Sequence, residues 1–154
     1  MSQKIDNKNL DASEIKDLTK QVERGMLLQI AETMSNYIQL VQCYSVNAKQ
    51  LGIPADAFMI NSGLFCFKPK IILYGSDRVK MLEYSSISKE SIEIYRPGSV
   101  VAGYVNYHGD RVVRDLYGVE ARYFQHEIDN LSGNDWKNRA TQAARIKATK
   151  VVLH

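Results

Sequence analysis

Residues 125–133, with the sequence QHEIDNLSG, constrain this chain most, because they have the spacing of a metal-binding helix in which one ligand is exchanged. Residues four apart lie on one face of an α-helix, so His126 and Asn130 can reach a common point. Two histidines at these positions, with the intervening glutamate as a base, form the His-Glu-x-x-His constellation of metallohydrolases. Here Asn130 replaces the second histidine, so the segment predicts the helix but not a complete metal site.

The composition is that of one folded domain of 154 residues, with 45% apolar and 24% charged side chains. No apolar run approaches the roughly 20 residues that span a bilayer, and the polar amino terminus lacks the core of a signal peptide. Cys43 and Cys66 do not form a C-x-x-C pair, which fits a reducing compartment. We therefore expect a cytoplasmic protein without a membrane partner. The net charge of +3 says little about other partners.

Helical periodicity dominates the first part of the chain. Residues 1–10 form a polar leader, and Asp11 with Glu14 resembles a capping box. The apolar stripe that follows predicts one long helix, or two consecutive helices, ending near Gln42 and facing the core. Gly25 marks a possible break. The stripe consists of Ile15, Leu18, Val22, Met26, Ile30, Met34, Ile38 and Val41.

Short apolar runs between turn signals predict strands from residue 58 to residue 116, with less regular structure over residues 81–88. The period becomes helical again after Gly118, where Ala121, Phe124, Ile128 and Leu131 form a core-facing stripe. His126, Glu127 and Asn130 then lie on a neighbouring face, beside a possible cleft. The order of helix, strands and helices indicates an α+β fold with an antiparallel-rich sheet.

The helix and its surroundings resemble the peptide deformylases, metallohydrolases that remove the formyl group from nascent proteins. Residues 124–129, FQHEID, match the third family motif in full, and Leu131 and Gly133 continue it. The likeness covers residues 11–150. It implies a mixed, antiparallel-rich sheet around the central helix, an N-terminal helix and a basic C-terminal helix. It also implies a leader (1–10), a deformylase-like domain (11–134) and a basic helix with a tail (135–154).

The first family motif, G-x-G-L-A-A-x-Q, corresponds to residues 43–50, CYSVNAKQ. Gln50 is kept, and the resemblance implies that its amide polarises the formyl oxygen. Cys43 and Ser45 replace the two glycines, and Asn47 replaces the first alanine. A side chain in place of glycine narrows the approach of a substrate to the backbone.

The second motif, E-G-C-L-S, supplies a cysteine ligand and falls on residues 82–86, LEYSS. The family spacing puts Tyr84 at the cysteine position, and a shift of two residues puts Ser86 there. The ancestral metal positions are then Tyr84, His126 and Asn130, with Glu127 and Gln50 as ancestral catalytic residues. One imidazole with a phenol and an amide is a poor set for a divalent metal.

We therefore expect a deformylase-fold pseudoenzyme without a metal cofactor, retained as a binding or structural interaction protein. Viruses of bacteria often encode small deformylase-like proteins, which suggests a virion, assembly or host-interacting role. The alternative is a divergent deformylase that uses Fe²⁺, Zn²⁺ or Ni²⁺ to remove the formyl group from methionyl peptides. A structural interpretation of Glu127 is a carboxylate on the helix surface, and of His126 a hydrogen-bonded, partly buried side chain.

Beyond Asp135 the chain is basic, with no acidic residue. The pattern indicates a docking helix for a ribosome, an RNA or an acidic protein, or else a solvated helix whose cations suit its C-terminal end. Nine tyrosines also favour a surface for a protein partner. The candidate interaction residues are Lys137, Arg139, Arg145, Lys147 and Lys150.

Overall fold

The computed structural model describes residues 10–85 and 89–133, and these form an α+β fold. Two helices flank antiparallel strands, as the sequence predicted. In chain order the elements are α1 (Ala12–Val41), β1 (Ser45–Asn47), a 3₁₀ turn (Lys49–Leu51), β2 (Ala57–Ile60), β3 (Phe65–Tyr74), β4 (Arg78–Ser85), β5 (Glu90–Pro97), β6 (Ser99–Val105), β7 (Arg111–Tyr117) and α2 (Gly118–Leu131).

Helix α1 is continuous, without a break at Gly25. The Asp11 carboxylate caps it by accepting the Glu14 N–H at 2.8 Å, as the sequence indicated. The prediction that the whole stripe faces the core is wrong for the first half of the helix. Ile30, Met34 and Ile38 are buried, whereas Ile15, Leu18, Val22 and Met26 are exposed, as is Val41 at the end of the helix. An apolar stripe defines a buried face only where another element packs against it.

The strands form two antiparallel sheets. Five strands pair in the order β1-β2-β3-β6-β7, and β4 pairs with β5 in a separate hairpin. The hairpin register runs without a shift from Arg78 opposite Pro97 to Ser85 opposite Glu90. The segment that the sequence suggested to be irregular is therefore a regular strand as far as Ser85. Its partner β5 continues through Arg96 to Pro97.

The five-stranded sheet separates two apolar clusters, because successive strand residues point to opposite faces. Ala57 and Met59 on β2 pack with α1, while Phe58 and Ile60 pack with α2. All four residues of β2 are consequently buried. Phe58 meets Phe124 of α2 edge to face, with ring centroids 5.1 Å apart. Burial of each such ring contributes about 2–3 kcal/mol, and these contacts fix α2 against the sheet.

Within the described residues, neither helix has the length and apolar character needed to cross a membrane. The basic residues Lys137, Arg139, Arg145, Lys147 and Lys150, and the boundary predicted at residue 134, lie outside the described residues. The contacts predicted for the basic segment therefore remain predictions.

Candidate functional site

Helix α2 is buried along most of its length. Gly118 opens it with a positive φ of 56°, and Gly133 follows it in the left-handed region at 77°, where glycine avoids a steric cost. Every residue from Ala121 to Glu127 is buried. The exposed fractions of His126 and Glu127 are 2% and 1%, so the interpretation of Glu127 as a surface carboxylate is wrong. Both predicted site residues lie between α2 and the strands.

Three side-chain donors surround the carboxylate of Glu127. Ser45 Oγ donates to Oε2 at 2.6 Å, Asn47 Nδ2 to Oε1 at 3.1 Å and Asn130 Nδ2 to Oε1 at 3.2 Å. Ser45 and Asn47 reach it from β1, whereas Asn130 lies one turn along α2. A buried carboxylate is costly unless it is hydrogen-bonded, and these donors meet that requirement. All three stand at positions where the chain departs from the family motifs.

Asn47 also connects Glu127 to Gln50. Its side-chain Oδ1 accepts the Gln50 backbone N–H at 3.0 Å, and its own backbone N–H donates to Gln50 Oε1 at 3.0 Å. These reciprocal bonds begin the 3₁₀ turn that carries Gln50 (Lys49–Leu51). The structure thus brings Gln50 and Glu127, which the resemblance predicts as catalytic residues, to opposite sides of one asparagine.

His126, the residue before Glu127, belongs to a buried ion cluster centred on Glu83 of β4. The His126 Nδ1 lies 2.8 Å from Glu83 Oε1. Arg96 donates to Glu83 through Nε at 2.5 Å and Nη2 at 3.0 Å, and Arg122 Nη1 donates to it at 2.8 Å. Arg96 Nη1 also meets Asp129 Oδ2 at 2.7 Å. This cluster joins the β4–β5 hairpin to α2 and orients the His126 ring.

The ion cluster determines the charge state of Glu83. Burial alone raises the pKa of a carboxyl group, but the hydrogen bonds from His126 and Arg96 and the charge of Arg96 outweigh it. Together they lower the pKa of Glu83 from 4.5 to about 2. Glu83 is therefore an anion at neutral pH, and its carboxylate accepts the Nδ1–H of His126.

Two tyrosines cover the site beside His126. The rings of Tyr44 and Tyr123 stack with centroids 4.8 Å apart and an interplanar angle of 6°. The Tyr123 ring is tilted against His126 at 5.4 Å, and its hydroxyl accepts the Tyr84 backbone N–H at 3.0 Å. Burial raises the pKa of Tyr123, so its phenol stays neutral. Tyr44 is 45% exposed, and an aromatic surface therefore leads from solvent to the site.

The orientation of β4 shows which of its residues faces His126 and could occupy the predicted cysteine position. Glu83 contacts His126, and alternation along the strand turns Ser85 to the same side and Tyr84 to the opposite side. The geometry therefore favours Ser85 over Tyr84 as the residue at the cysteine position. Moving the motif by one residue, so that its glutamate falls on Glu83, also places its cysteine at Ser85. Ser86, the other candidate, lies outside the described residues.

The residues at the family's ligand positions do not fit a transition metal. A catalytic site of this type takes three protein ligands, drawn from thiolates, imidazoles and carboxylates. Here only His126 is of that kind, because Asn130 is an amide whose Nδ2 donates to Glu127 and Ser85 is a neutral hydroxyl. Across residues 10–85 and 89–133, no group of three or more His, Cys, Asp or Glu side chains could hold a metal ion.

The sequence did not reveal several residues that build the site. Glu83 and Arg96 are charged residues within strands, and nothing in the sequence around them indicated that they would be buried. Ser45 and Asn47 stood out only as departures from a motif. The clue available was their alternation on one strand, which turns both side chains to the same face.

Comparison with known families and structures identifies relatives of the whole arrangement. Residues 4–145 match the family model of polypeptide deformylase. A peptide deformylase of Thermotoga neapolitana is 31% identical over 130 residues, which cover 81% of this chain and 76% of that protein. One from Carboxydothermus hydrogenoformans is 25% identical over 137 residues, covering 87% of each chain.

Solved structures show the same fold. A Plasmodium falciparum peptide deformylase in complex with an inhibitor superimposes with a TM-score of 0.74 at 23% identity, over 82% of this chain and 81% of that one. Thermotoga maritima peptide deformylase gives a TM-score of 0.70 at 26% identity, over 76% of this chain and 82% of that one. These relatives confirm the resemblance and favour the divergent-deformylase alternative over a structural or virion role, which they do not support.

Proposed function

We propose that this chain, which belongs to the polypeptide deformylase family, binds that family's class of substrate, a peptide with a formylated N-terminus. The observation that carries the proposal is the hydrogen-bonded line from Gln50 through Asn47 to Glu127. Gln50 is exposed, and its Oε1 is held by a backbone N–H. Among the described residues its Nε2 meets no acceptor, so this amide can donate to a formyl oxygen.

The strand β1 offers an edge to the rest of the peptide. It is the outermost strand of its sheet, and no described strand pairs with its other side. Tyr44 and Ala48 direct their backbones to β2, so the intervening Ser45 and Asn47 alternate toward the open edge. The Asn47 N–H already donates to Gln50 Oε1, so an extended peptide that adds to this edge would form main-chain hydrogen bonds with Ser45 and with the Asn47 carbonyl.

Binding without hydrolysis is the function that the donor set favours. Deformylation breaks the bond between the formyl carbon and the peptide nitrogen, with water supplying the second oxygen of formate and the proton that the freed amine takes. The family's metal activates that water, and this chain has one imidazole where three ligands are needed. The Glu127 carboxylate already accepts bonds from Ser45, Asn47 and Asn130. We therefore propose a formyl-peptide-binding protein with little or no turnover.

A second candidate function is a divergent peptide deformylase. It is favoured by the presence of Gln50, His126 and Glu127 around one site, together with relatives that are themselves named peptide deformylases. In this case Glu127 would carry the proton to the leaving amine. A Fe²⁺, Zn²⁺ or Ni²⁺ ion would supply the activated water, held by His126 and by ligands outside the usual set.

One experiment separates the two candidates. Protein with and without added Fe²⁺, Zn²⁺ or Ni²⁺ is titrated with a formyl-methionyl tripeptide and with the same tripeptide lacking the formyl group. Formate is measured in the same samples. We expect tighter binding of the formylated peptide and no formate above the level given by Glu127→Gln. Equal binding of both peptides would overturn the proposal, and turnover that Glu127→Gln abolishes would establish the second candidate.

A cytoplasmic location belongs to the same proposal, because bacterial ribosomes, which make formylated peptides, lie in the cytoplasm. Cys43 and Cys66 are both buried and neither forms a disulfide, which accords with a reducing compartment. A ribosome, an RNA or another protein remains the proposed partner of the basic residues 137–150.

A further inference from the structure

We infer that Asn47 is a positioning residue, which fixes Gln50 against Glu127 and thereby sets the preference of the site for a formyl group. The inference rests on the proposed function, since it assumes that Gln50 meets the formyl oxygen. It concerns a side chain that the family motif lacks, because an alanine stands at this position in the motif.

Every polar atom of the Asn47 side chain has a defined role. Oδ1 accepts the Gln50 N–H at 3.0 Å, and Nδ2 donates to Glu127 Oε1 at 3.1 Å. Asn47 is 4% exposed, so water does not compete for either bond. An alanine would provide neither bond. The turn that carries Gln50 is therefore tied to helix α2 by one asparagine.

The other end of the link is rigid. Glu127 is buried in the middle of α2, and Ser45 and Asn130 hold its carboxylate from two further directions. Gln50 itself is exposed and belongs to a turn of only three residues. The backbone of the turn is held by its own hydrogen bonds and by the packing of Leu51 on the core. The exposed Gln50 is held by its two bonds to Asn47, of which an alanine would lose the bond from the Gln50 N–H to the side-chain Oδ1 and the link to Glu127.

The bond pattern can be reversed, which allows a sharp test. Asn47→Asp keeps the acceptor for the Gln50 N–H but places a second carboxylate against Glu127. Adding Glu127→Gln supplies an N–H that donates to the new carboxylate at position 47, and the Asn130 amide can turn its oxygen toward the same N–H₂ group. Ser45 still donates to the remaining carbonyl oxygen. The double variant thus restores the link without a carboxylate at position 127.

The measured quantity is the ratio of dissociation constants for unformylated and formylated methionyl tripeptides. Asn47→Ala and Asn47→Asp should each lower this ratio about 5- to 10-fold, the value of one hydrogen bond to Gln50. The double variant Asn47→Asp/Glu127→Gln should return it to within about 2-fold of wild type. A general loss of stability would weaken both peptides alike and leave the ratio unchanged.

Ser62→Ala is the matched control. The Ser62 hydroxyl also donates to a glutamate of α2, with its Oγ 2.6 Å from Glu120 Oε2, but Ser62 is remote from Gln50. It should leave the ratio unchanged. A wild-type ratio in Asn47→Ala, or a double variant no better than Asn47→Asp, would overturn the inference. If Asn47→Ala does not fold, the comparison of Asn47→Asp with the double variant decides alone. A wild-type protein without any formyl preference would instead refute the proposed function.

Discussion

Replacing Glu83 by glutamine should destabilise the protein severely. Glu83 is completely buried, and its carboxylate accepts two bonds from Arg96, one from Arg122 and one from His126. With Asp129 the cluster holds two carboxylates and two guanidinium groups, so its charges balance. Glutamine leaves two cations with one anion and turns an N–H₂ group toward an arginine. Removing one partner of a buried pair costs about 3–5 kcal/mol.

The measurement is the free energy of unfolding from urea titration of wild type and Glu83→Gln. A loss of about 3–5 kcal/mol would be a large part of the roughly 5–15 kcal/mol that stabilises a domain. Glu93→Gln is the control on the same hairpin, since the partly exposed Glu93 pairs with the exposed Lys80 at 3.7 Å. It should cost less than about 1 kcal/mol. A Glu83→Gln loss as small as that of Glu93→Gln would refute the argument that charge balance holds α2 to the hairpin.

Acidification should destabilise the protein through the same Glu83 carboxylate, whose pKa is lowered from 4.5 to about 2. The stabilisation that the ionised carboxylate gives to the fold is present above pH 4.5 and is lost as the pH falls through 2. Unfolding free energies between pH 5 and pH 2 should then fall by on the order of 3 kcal/mol, and a flat profile would contradict this. Ser85→Cys with Asn130→His should bind stoichiometric Zn²⁺ by mass spectrometry, whereas Tyr84→Cys with Asn130→His should not, because Tyr84 points away from His126. Removing residues 137–154 should abolish any salt-sensitive binding to RNA, and unchanged binding would exclude this segment as the contact.

Local patterns in the sequence predicted the elements well, because helical spacing and apolar runs depend on neighbouring residues. The capping of α1 by Asp11 and the start of α2 at Gly118 are of this kind. The exposed first half of α1 was not predictable, since an apolar stripe does not say whether a partner exists. Glu83 was missed for a related reason: its burial depends on two arginines that approach from β5 and α2.

The sequence named candidate site residues but not the connections between them. His126, Glu127 and Gln50 were identified from motif positions, and the structure brings Gln50 and Glu127 together through Asn47. The bond from Ser45 to Glu127 joins residues 82 positions apart, a pairing that no periodicity encodes. Comparison with the family motifs treated Ser45, Asn47 and Asn130 as separate losses of a motif residue.

The departures at Ser45, Asn47 and Asn130 should therefore behave as one unit rather than as three independent changes. All three donate to the same buried carboxylate, and removing one donor increases the reliance of Glu127 on the others. Ser45→Ala combined with Asn130→Ala should thus lower the unfolding free energy by at least about 0.5 kcal/mol more than the sum of the single changes. Ser45→Ala combined with Ser62→Ala should be additive, because Ser62 donates to Glu120 instead. Additivity in both pairs would mean that the three substitutions arose around Glu127 without depending on one another.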